Sequence, residues 1–326
     1  MNERAGRWTV LIYLLILASV AVVATYSARY VINRPWTARD LVAAAALDGK
    51  IYVFGGRDRE RGLLDEVLQI DPTRQRLHLA AHLPSARYGM GATALNGRVY
   101  SLGGHDGKSY LDEIVEFDPR AGRTRIIGLL PTPRAYGGVA ASGGKLYFVG
   151  GWDGAKRLDE IVEVDPSTGE SQVTGHLPFP RELLAVAALD DRLYALGGED
   201  EQGDYLGQIV EIDPRRGAVL RVGRLPSPRA RSAGATVGAK IYAIGGWNKK
   251  GLDEIIIVDP SPQEIEVRIV GHLPAGRADL AVASVSDKLY LIGGADEGFP
   301  GQISILEIDP ATGKTRGLRM RSFLWW

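Results

Sequence analysis

Arginines recur along this chain at Arg39, Arg87, Arg134, Arg181, Arg229 and Arg277, and carboxylate pairs recur behind them at Asp65-Glu66, Asp112-Glu113, Asp159-Glu160 and Asp253-Glu254. Two kinds of chemistry suit that pattern. Buried charges require partners, so the two series can pair with each other as scaffold. Alternatively, a ring of guanidinium groups could serve as an anion-binding collar, because arginine grips oxyanions through forked hydrogen bonds. The acidic pair is lost in two copies, as Gly207-Gln208 and Ile303-Ser304. His82, His176 and His272 each precede Leu-Pro in alternate copies. A metal would need them within a few ångströms of one another, and their regular separation spreads them apart, so neither metal nor cofactor is expected. No Ser-His-Asp set, phosphate loop or His-x-x-x-His pattern stands out.

Ligand-specific chemistry on a repeated scaffold belongs where the copies differ. Beside the arginines the differing residues are Tyr88, Tyr136, Glu182, Arg231 and Asp279. A second variable set is Arg57, His105, Trp152, Glu199, Trp247 and Ala295, each directly after a Gly-Gly pair. Strand directions put both sets on one face. The expected binding residues are therefore Trp152, Trp247, Tyr88, Tyr136, Arg231, Arg57, His105, Glu182 and Glu199. Rigid aromatics with arginine dominate binding hot spots, and aromatic faces with a few charges also suit a sugar. Glu182, Glu199 and His105 are the candidates for proton transfer. The plainer reading of Trp152 and Trp247 is that they cover neighbouring loops.

The elements that position these residues follow from a repeat. Gly-Gly pairs stand at Gly55, Gly103, Gly150, Gly197, Gly245 and Gly293, with successive spacings of 48, 47, 47, 48 and 48 residues. A period of that size signals stacked supersecondary units. In the second copy, Tyr88 to Leu95 is small and apolar and reads as an inner strand. Asn96-Gly97 is a hairpin turn. Arg98 to Leu102 is a second strand, Ile114 to Phe117 a third stopped by Asp118-Pro119, and Arg123 to Leu130 a fourth. Four antiparallel strands with short turns make one propeller blade.

The Gly-Gly pair after an apolar strand, with Tyr52, Tyr100, Tyr147, Tyr194, Tyr242 and Tyr290 a few residues before it, resembles the kelch repeat. The resemblance covers about residues 36 to 318 and implies an all-β, six-bladed kelch-type β-propeller with a central channel. The fourth-strand Trp frequent in that family is replaced by aliphatics such as Ile126, Val173 and Val222, which are expected to carry the blade packing instead. Whole blades, with the last outer strand near Lys314 to Met320, are preferred over closure by an outer strand from Arg29 to Asn33. Kelch propellers commonly act as binding modules. The family also includes sugar epimerases of the sialic-acid mutarotase type, and it is similar in part to copper-radical oxidases, whose Cys–Tyr cross-link this chain cannot form.

Bulk composition narrows the field. Net charge is zero, with 39 basic and 39 acidic residues and no cysteine. Nothing favours nucleic acid as a partner, and disulfides and thiolate nucleophiles are excluded. Residues 1–35 form a tail, an uncharged run from Trp8 to Ser27 and a linker. As a helix the run (about residues 8–27) would reach about 30 Å, the thickness of a bilayer core. It reads as a transmembrane signal-anchor, with cleavage as a signal peptide the alternative. Trp8 and Tyr26 would lie at the membrane interface, as would Trp325 and Trp326 of the apolar C-terminal tail 319–326. The expectation is a single-pass, extracytoplasmic propeller. It would act as a protein- or ligand-binding module, or as an accessory subunit of a membrane complex. Its partner would be a membrane protein, a glycan or a lipid-linked ligand. The alternative is a mutarotase- or epimerase-like enzyme.

Overall fold

A computed structural model describes residues 39–322 apart from 59, 262–263 and 296–304. The run 8–27 with Trp8 and Tyr26, the segment Arg29 to Asn33, Ile303-Ser304, and Trp325 and Trp326 lie outside the described residues. Among the described residues no helix is long and apolar enough to cross a membrane.

The described chain forms six sheets of four antiparallel strands each, with one extra strand on the first, and a small three-stranded sheet of Arg39–Asp40, Arg57–Asp58 and Gly62–Leu63. Each innermost strand touches the innermost strands of two neighbours, and the sixth touches the first, so the sheets close into a ring of blades. In blade 2 the strands are Gly91–Leu95, Arg98–Leu102, Glu113–Asp118 and Arg123–Leu129. The inner strand starts later than expected from sequence, because Gly89 takes a left-handed conformation that interrupts it. Inner strands are rich in small residues, as in the Ala43–Leu47 run of four alanines, because they converge on the axis. A side chain at Gly91 would collide with Val139 of the next blade.

Apolar residues lie between consecutive blades. Tyr52, Phe54 and Val67 of blade 1 meet Val99, Val115 and Phe117 of blade 2. Across the seam between the last and first blades, Ala283, Tyr290 and Ile292 meet Val42, Ile51 and Ile70 in the same way. Burial of each such side chain is worth about 1.5–3 kcal/mol, so the seam is held as firmly as any other interface. Second-strand tyrosines are buried, and Tyr147 donates to Glu163 at 2.9 Å and Tyr52 to Gln69 at 3.2 Å. Two of the aliphatics expected to carry packing on the fourth strand do not: Ile126 is 46% and Val173 39% exposed, on the outer surface. The inward residue of that strand is its neighbour, as with Ile127, which packs against the apolar cluster.

Blade 6 is whole, with Ala278–Val285, Lys288–Ala295, Ile305–Ile308 and Thr315–Leu318. The chain then crosses to blade 1, where Arg321–Ser322 pairs in parallel with Arg76 and Leu77. Met320 packs against the apolar seam. Residues 319–322 are thus part of the ring rather than a separate tail.

One face of the disc carries a repeated ion pair between the first residue of the second strand and the last carboxylate of the third. The pairs are Lys50–Asp71, Arg98–Asp118, Lys145–Asp165, Arg192–Asp213, Lys240–Asp259 and Lys288–Asp309. The Asp-Pro signal therefore does more than stop a strand, since its carboxylate clamps the neighbouring hairpin.

Candidate ligand site at the channel mouth

On the opposite face, the residue two places after each repeated arginine turns left-handed. Leu41, Gly89, Tyr136, Leu183, Arg231 and Asp279 have φ of 53°, 67°, 60°, 56°, 57° and 56°. Their backbones form a closed belt. Each N–H donates to the carbonyl of the corresponding residue in the preceding blade, from Gly89 to Leu41 at 3.1 Å round to Leu41 to Asp279 at 3.0 Å. Left-handed Leu and Tyr are costly conformations, and such outliers point to a constrained site. The belt surrounds a hollow of about 90 Å³ at the channel mouth. Behind it lies a channel space of about 260 Å³, walled by Ala44, Ala92, Ala141 and their counterparts.

Around the belt, each blade contributes one cross-strand pair, joining the residue after the arginine to the residue after Gly-Gly. The pairs are Asp40 with Arg57, Tyr88 with His105, Ala135 with Trp152, Glu182 with Glu199, Ala230 with Trp247 and Ala278 with Ala295. The expected variable residues therefore do share one face. Their pairing was not foreseen, and neither was the matching of small residues to tryptophans.

Tyr136, Tyr88, His105, Tyr110, Trp152, Arg157 and the two glutamates form one continuous arc over blades 2 to 4. Ring centroids are 6.2 Å apart for Tyr88–Tyr136, 5.4 Å for Tyr88–His105 and 4.6 Å for His105–Tyr110. The Arg157 guanidinium lies 5.6 Å over Trp152 and reaches Glu182 at 3.0 Å and Glu199 at 2.5 Å. Burial and the Tyr88 hydrogen bond push the Tyr136 phenol well up. Burial, with Glu199 adding to it, raises the Glu182 carboxyl against the pull of Arg157. The other sector holds Arg57 forked onto Asp40 at 3.1 and 3.0 Å, and Arg231 on Asp279 at 3.1 Å. Burial raises the Asp279 carboxyl in spite of Arg231. Asp279 Oδ1 and Ser232 Oγ are buried there without a hydrogen-bond partner. Trp247 stands in blade 5, in the place that Trp152 takes in blade 3.

Arg157 was not among the residues expected from sequence. It closes the same loop that Trp152 opens, where the other copies place Leu63, Tyr110, Tyr205 and Gly251.

Five of the six repeated arginines are buried in the scaffold and form no anion collar. Arg87, Arg134, Arg181 and Arg229 are fully buried. Arg134 pairs with Glu160 at 2.5 Å, Arg87 with Glu113 and Arg229 with Glu254. Arg39 binds Glu66 at 2.8 Å and the carbonyl of Gly55 at 3.2 Å. Where the acid is lost, Gln208 Oε1 accepts from Arg181 at 2.9 Å, and burial lowers that guanidinium to about 10. The three pre-Leu-Pro histidines each face an aspartate of their own blade, as in His176–Asp159 at 3.0 Å.

A family model described as the KLHDC2/KLHL20/DRC7 Kelch-repeats domain matches residues 24–198, more than half of the chain. This chain belongs to the kelch-repeat family. The kelch propeller is 41% identical over 78 residues to the N-acetylneuraminate epimerase of Yersinia enterocolitica serotype O:8 / biotype 1B (strain NCTC 13174 / 8081). That match covers 22% of this chain and 20% of the relative, so the kelch propeller spans about a fifth of the length of the curated relative it matches. The solved structure of YjhT superposes with a TM-score of 0.73 at 16% identity, covering 87% of this chain and 98% of that one. This last likeness is one of fold.

Proposed function

We propose that the channel mouth is a small-molecule site for a sugar acid of the N-acetylneuraminate class, and that Glu182 with Glu199 exchanges the sugar's anomers. The carrying observation is the hollow inside the belt, with an aromatic arc on one side and unpartnered Ser232 Oγ and Asp279 Oδ1 on the other. Flat protein-binding surfaces have no need of such a hollow, whereas small ligands bind in concave sites with a few placed polar groups. The local identity with N-acetylneuraminate epimerase supports the ligand class.

Anomer exchange of a cyclic sugar needs only proton transfers. One group takes the proton of the anomeric hydroxyl and another protonates the ring oxygen, so the ring opens; reclosure on the other face reverses both steps. A carboxyl raised by burial beside a second carboxylate supplies a matched acid and base. Glu182 would act as the acid, Glu199 as the base, and Arg157 would hold both in place. The test is magnetisation exchange between the anomers of N-acetylneuraminate by NMR. Catalytic amounts of the chain should speed the exchange, and Glu182→Gln should remove about a hundredfold or more of that gain. An exchange rate equal to that of buffer would sink the proposal.

A second reading treats the same face as the docking surface of a membrane-tethered binding module or accessory subunit. It draws on the uncharged run from Trp8 to Ser27 and on the exposed Phe179, which stands where the other copies have Ser85, Thr132, Ser227 and Ala275. On this reading the propeller is extracytoplasmic and its partner is a membrane protein or a lipid-linked glycan. Recovery of a partner with the full chain from membranes, lost on Phe179→Ser, would favour it over the first.

A further inference from the structure

The sugar-acid reading carries one consequence for charge. We propose that the mouth takes up one proton when it binds an anionic ligand, and that Glu182 receives it.

The geometry is a shortage of cations in blade 4. Glu182 and Glu199 oppose each other across an antiparallel bridge, a placement in which like charges repel. A single guanidinium, Arg157, serves both, at 3.0 and 2.5 Å. The other arginines of the mouth are already matched one to one, Arg57 with Asp40 and Arg231 with Asp279. Three arginines thus stand beside four carboxylates among these seven side chains, and the unmatched charge falls on the glutamate pair.

Among the described residues, the cations facing Glu182 are both shared with other carboxylates, Arg157 with Glu199 and Arg231 with Asp279. The groups around it are Arg157 from blade 3, Glu199 from its own blade, Arg231 from the next, and the Tyr110 and Tyr136 phenols. Both side chains of the pair are largely shielded from solvent, at 13% and 19% exposed. A ligand carboxylate entering here makes two unmatched negative charges out of one. Charges in a poorly solvated site are expensive unless matched, and groups shift their protonation instead. The proton comes from solvent and turns the Glu182 carboxylate into a carboxylic acid; no bond of the ligand changes.

A second observation points to the way the ligand lies. Ser232 is nine-tenths buried, lines the hollow and has an unpartnered hydroxyl, whereas other copies place Val42, Met90, Gly137, Leu184 and Leu280 at its position. With Asp279 Oδ1, it leaves blades 5 and 6 ready for hydroxyl groups. The acidic end of the ligand is thereby directed to Arg157, beside the glutamate pair.

The test is calorimetric titration of the full chain with N-acetylneuraminate and with its uncharged methyl ester. It spans about pH 5.5 to 8.5 in two buffers of different protonation enthalpy. The acid should bind with uptake approaching one proton, weakening by up to about tenfold per pH unit towards the alkaline end. The ester should bind without proton uptake. Glu182→Gln should bind the acid with no pH dependence. The ester comparison needs no variant and tests the proton uptake itself if Glu182→Gln fails to fold, the same uptake with both ligands, or none with either, overturning the inference. Acid binding that is flat with pH, or a slope that survives in Glu182→Gln, overturns the inference while leaving the ligand reading intact. Binding of neither compound overturns the ligand reading and the inference with it.

Discussion

The backbone N–H of Leu41 donates to the carbonyl of Asp279 at 3.0 Å, joining the first blade to the last. It is one of six equivalent bonds, and it makes the belt a closed circuit with no free end. The same two residues border the hollow, so closure of the ring and shape of the site are one feature. Leu41→Pro removes the donor and forbids the left-handed φ. It should lower stability by about 3 kcal/mol or more in urea titration. Leu41→Gly should cost far less, because glycine adopts that φ freely. Equal losses in both variants would show that the belt conformation is not what matters.

Arg134 is fully buried and bonded to Glu160, with its Nε donating to the carbonyl of Thr132 at 3.0 Å. Arg134→Met leaves Glu160 without its cation, and removing one partner of a buried pair costs about 3–5 kcal/mol. The natural neutral version at Arg181–Gln208 supplies the contrast. Gln208→Glu should raise the unfolding midpoint, since the buried guanidinium there has no carboxylate hydrogen-bonded to it. A lowered midpoint in Gln208→Glu would contradict the scaffold role assigned to the arginine series.

Gly150 has φ +65°, and a Cβ there would lie 2.6 Å from the carbonyl oxygen of Arg181. Neither the conformation nor the space admits a side chain. Gly150→Ala should therefore cost several kcal/mol, more than the roughly 1 kcal/mol of backbone entropy that alanine regains. Thermal unfolding measures this, and a neutral result would refute the close approach of blades at the Gly-Gly pairs.

The hairpin clamps predict how acid unfolds the propeller. Lys288 and backbone N–H donors hold the Asp309 carboxyl down to about 2, and Lys145 holds Asp165 lower still. A free aspartate titrates near 3.9. A depressed folded value means that the contribution to stability is present above about pH 4 and lost as pH falls through the folded value near 2. Stability against urea should therefore drop steeply below about pH 4. Asp165→Asn and Asp309→Asn together should lower stability at neutral pH and make that drop shallower. An unchanged acid slope in the double variant would remove the clamps from the account.

Much of the architecture could be read from the chain because it rests on residues that repeat. The Gly-Gly pairs, the strand tyrosines and the arginine–carboxylate series recur in register, and each has a steric or charge reason to do so. The belt could not be read the same way. Its six positions carry Leu, Gly, Tyr, Leu, Arg and Asp, which share a backbone conformation and no side chain. Arg157 was hidden for a related reason, since its partners sit on the next blade and only the ring geometry brings them together. The Arg321–Ser322 strand is too short to show a pattern, and its partner strand lies at the far end of the sequence. Ile126 and Val173 misled because a β-strand alternates faces, and one residue of register separates an inward from an outward side chain.

Trp152 packs under the Arg157 guanidinium. Trp152→Ala should loosen Arg157 and weaken N-acetylneuraminate binding by about tenfold or more, as loss of a rigid aromatic anchor does. Trp247→Ala should weaken it less, because Trp247 opposes Ala230 outside the arc. Calorimetry on both variants checks the order, and the reverse order would move the centre of the site to blade 5.

The location of the ligand tests the account most directly. A crystal structure of the chain with saturating N-acetylneuraminate should place the sugar over the belt, with its carboxylate towards Arg157 and its hydroxyl groups on Ser232 and Asp279. Sugar bound on the outer strands or on the clamp-bearing face, with the mouth holding only water, would contradict it.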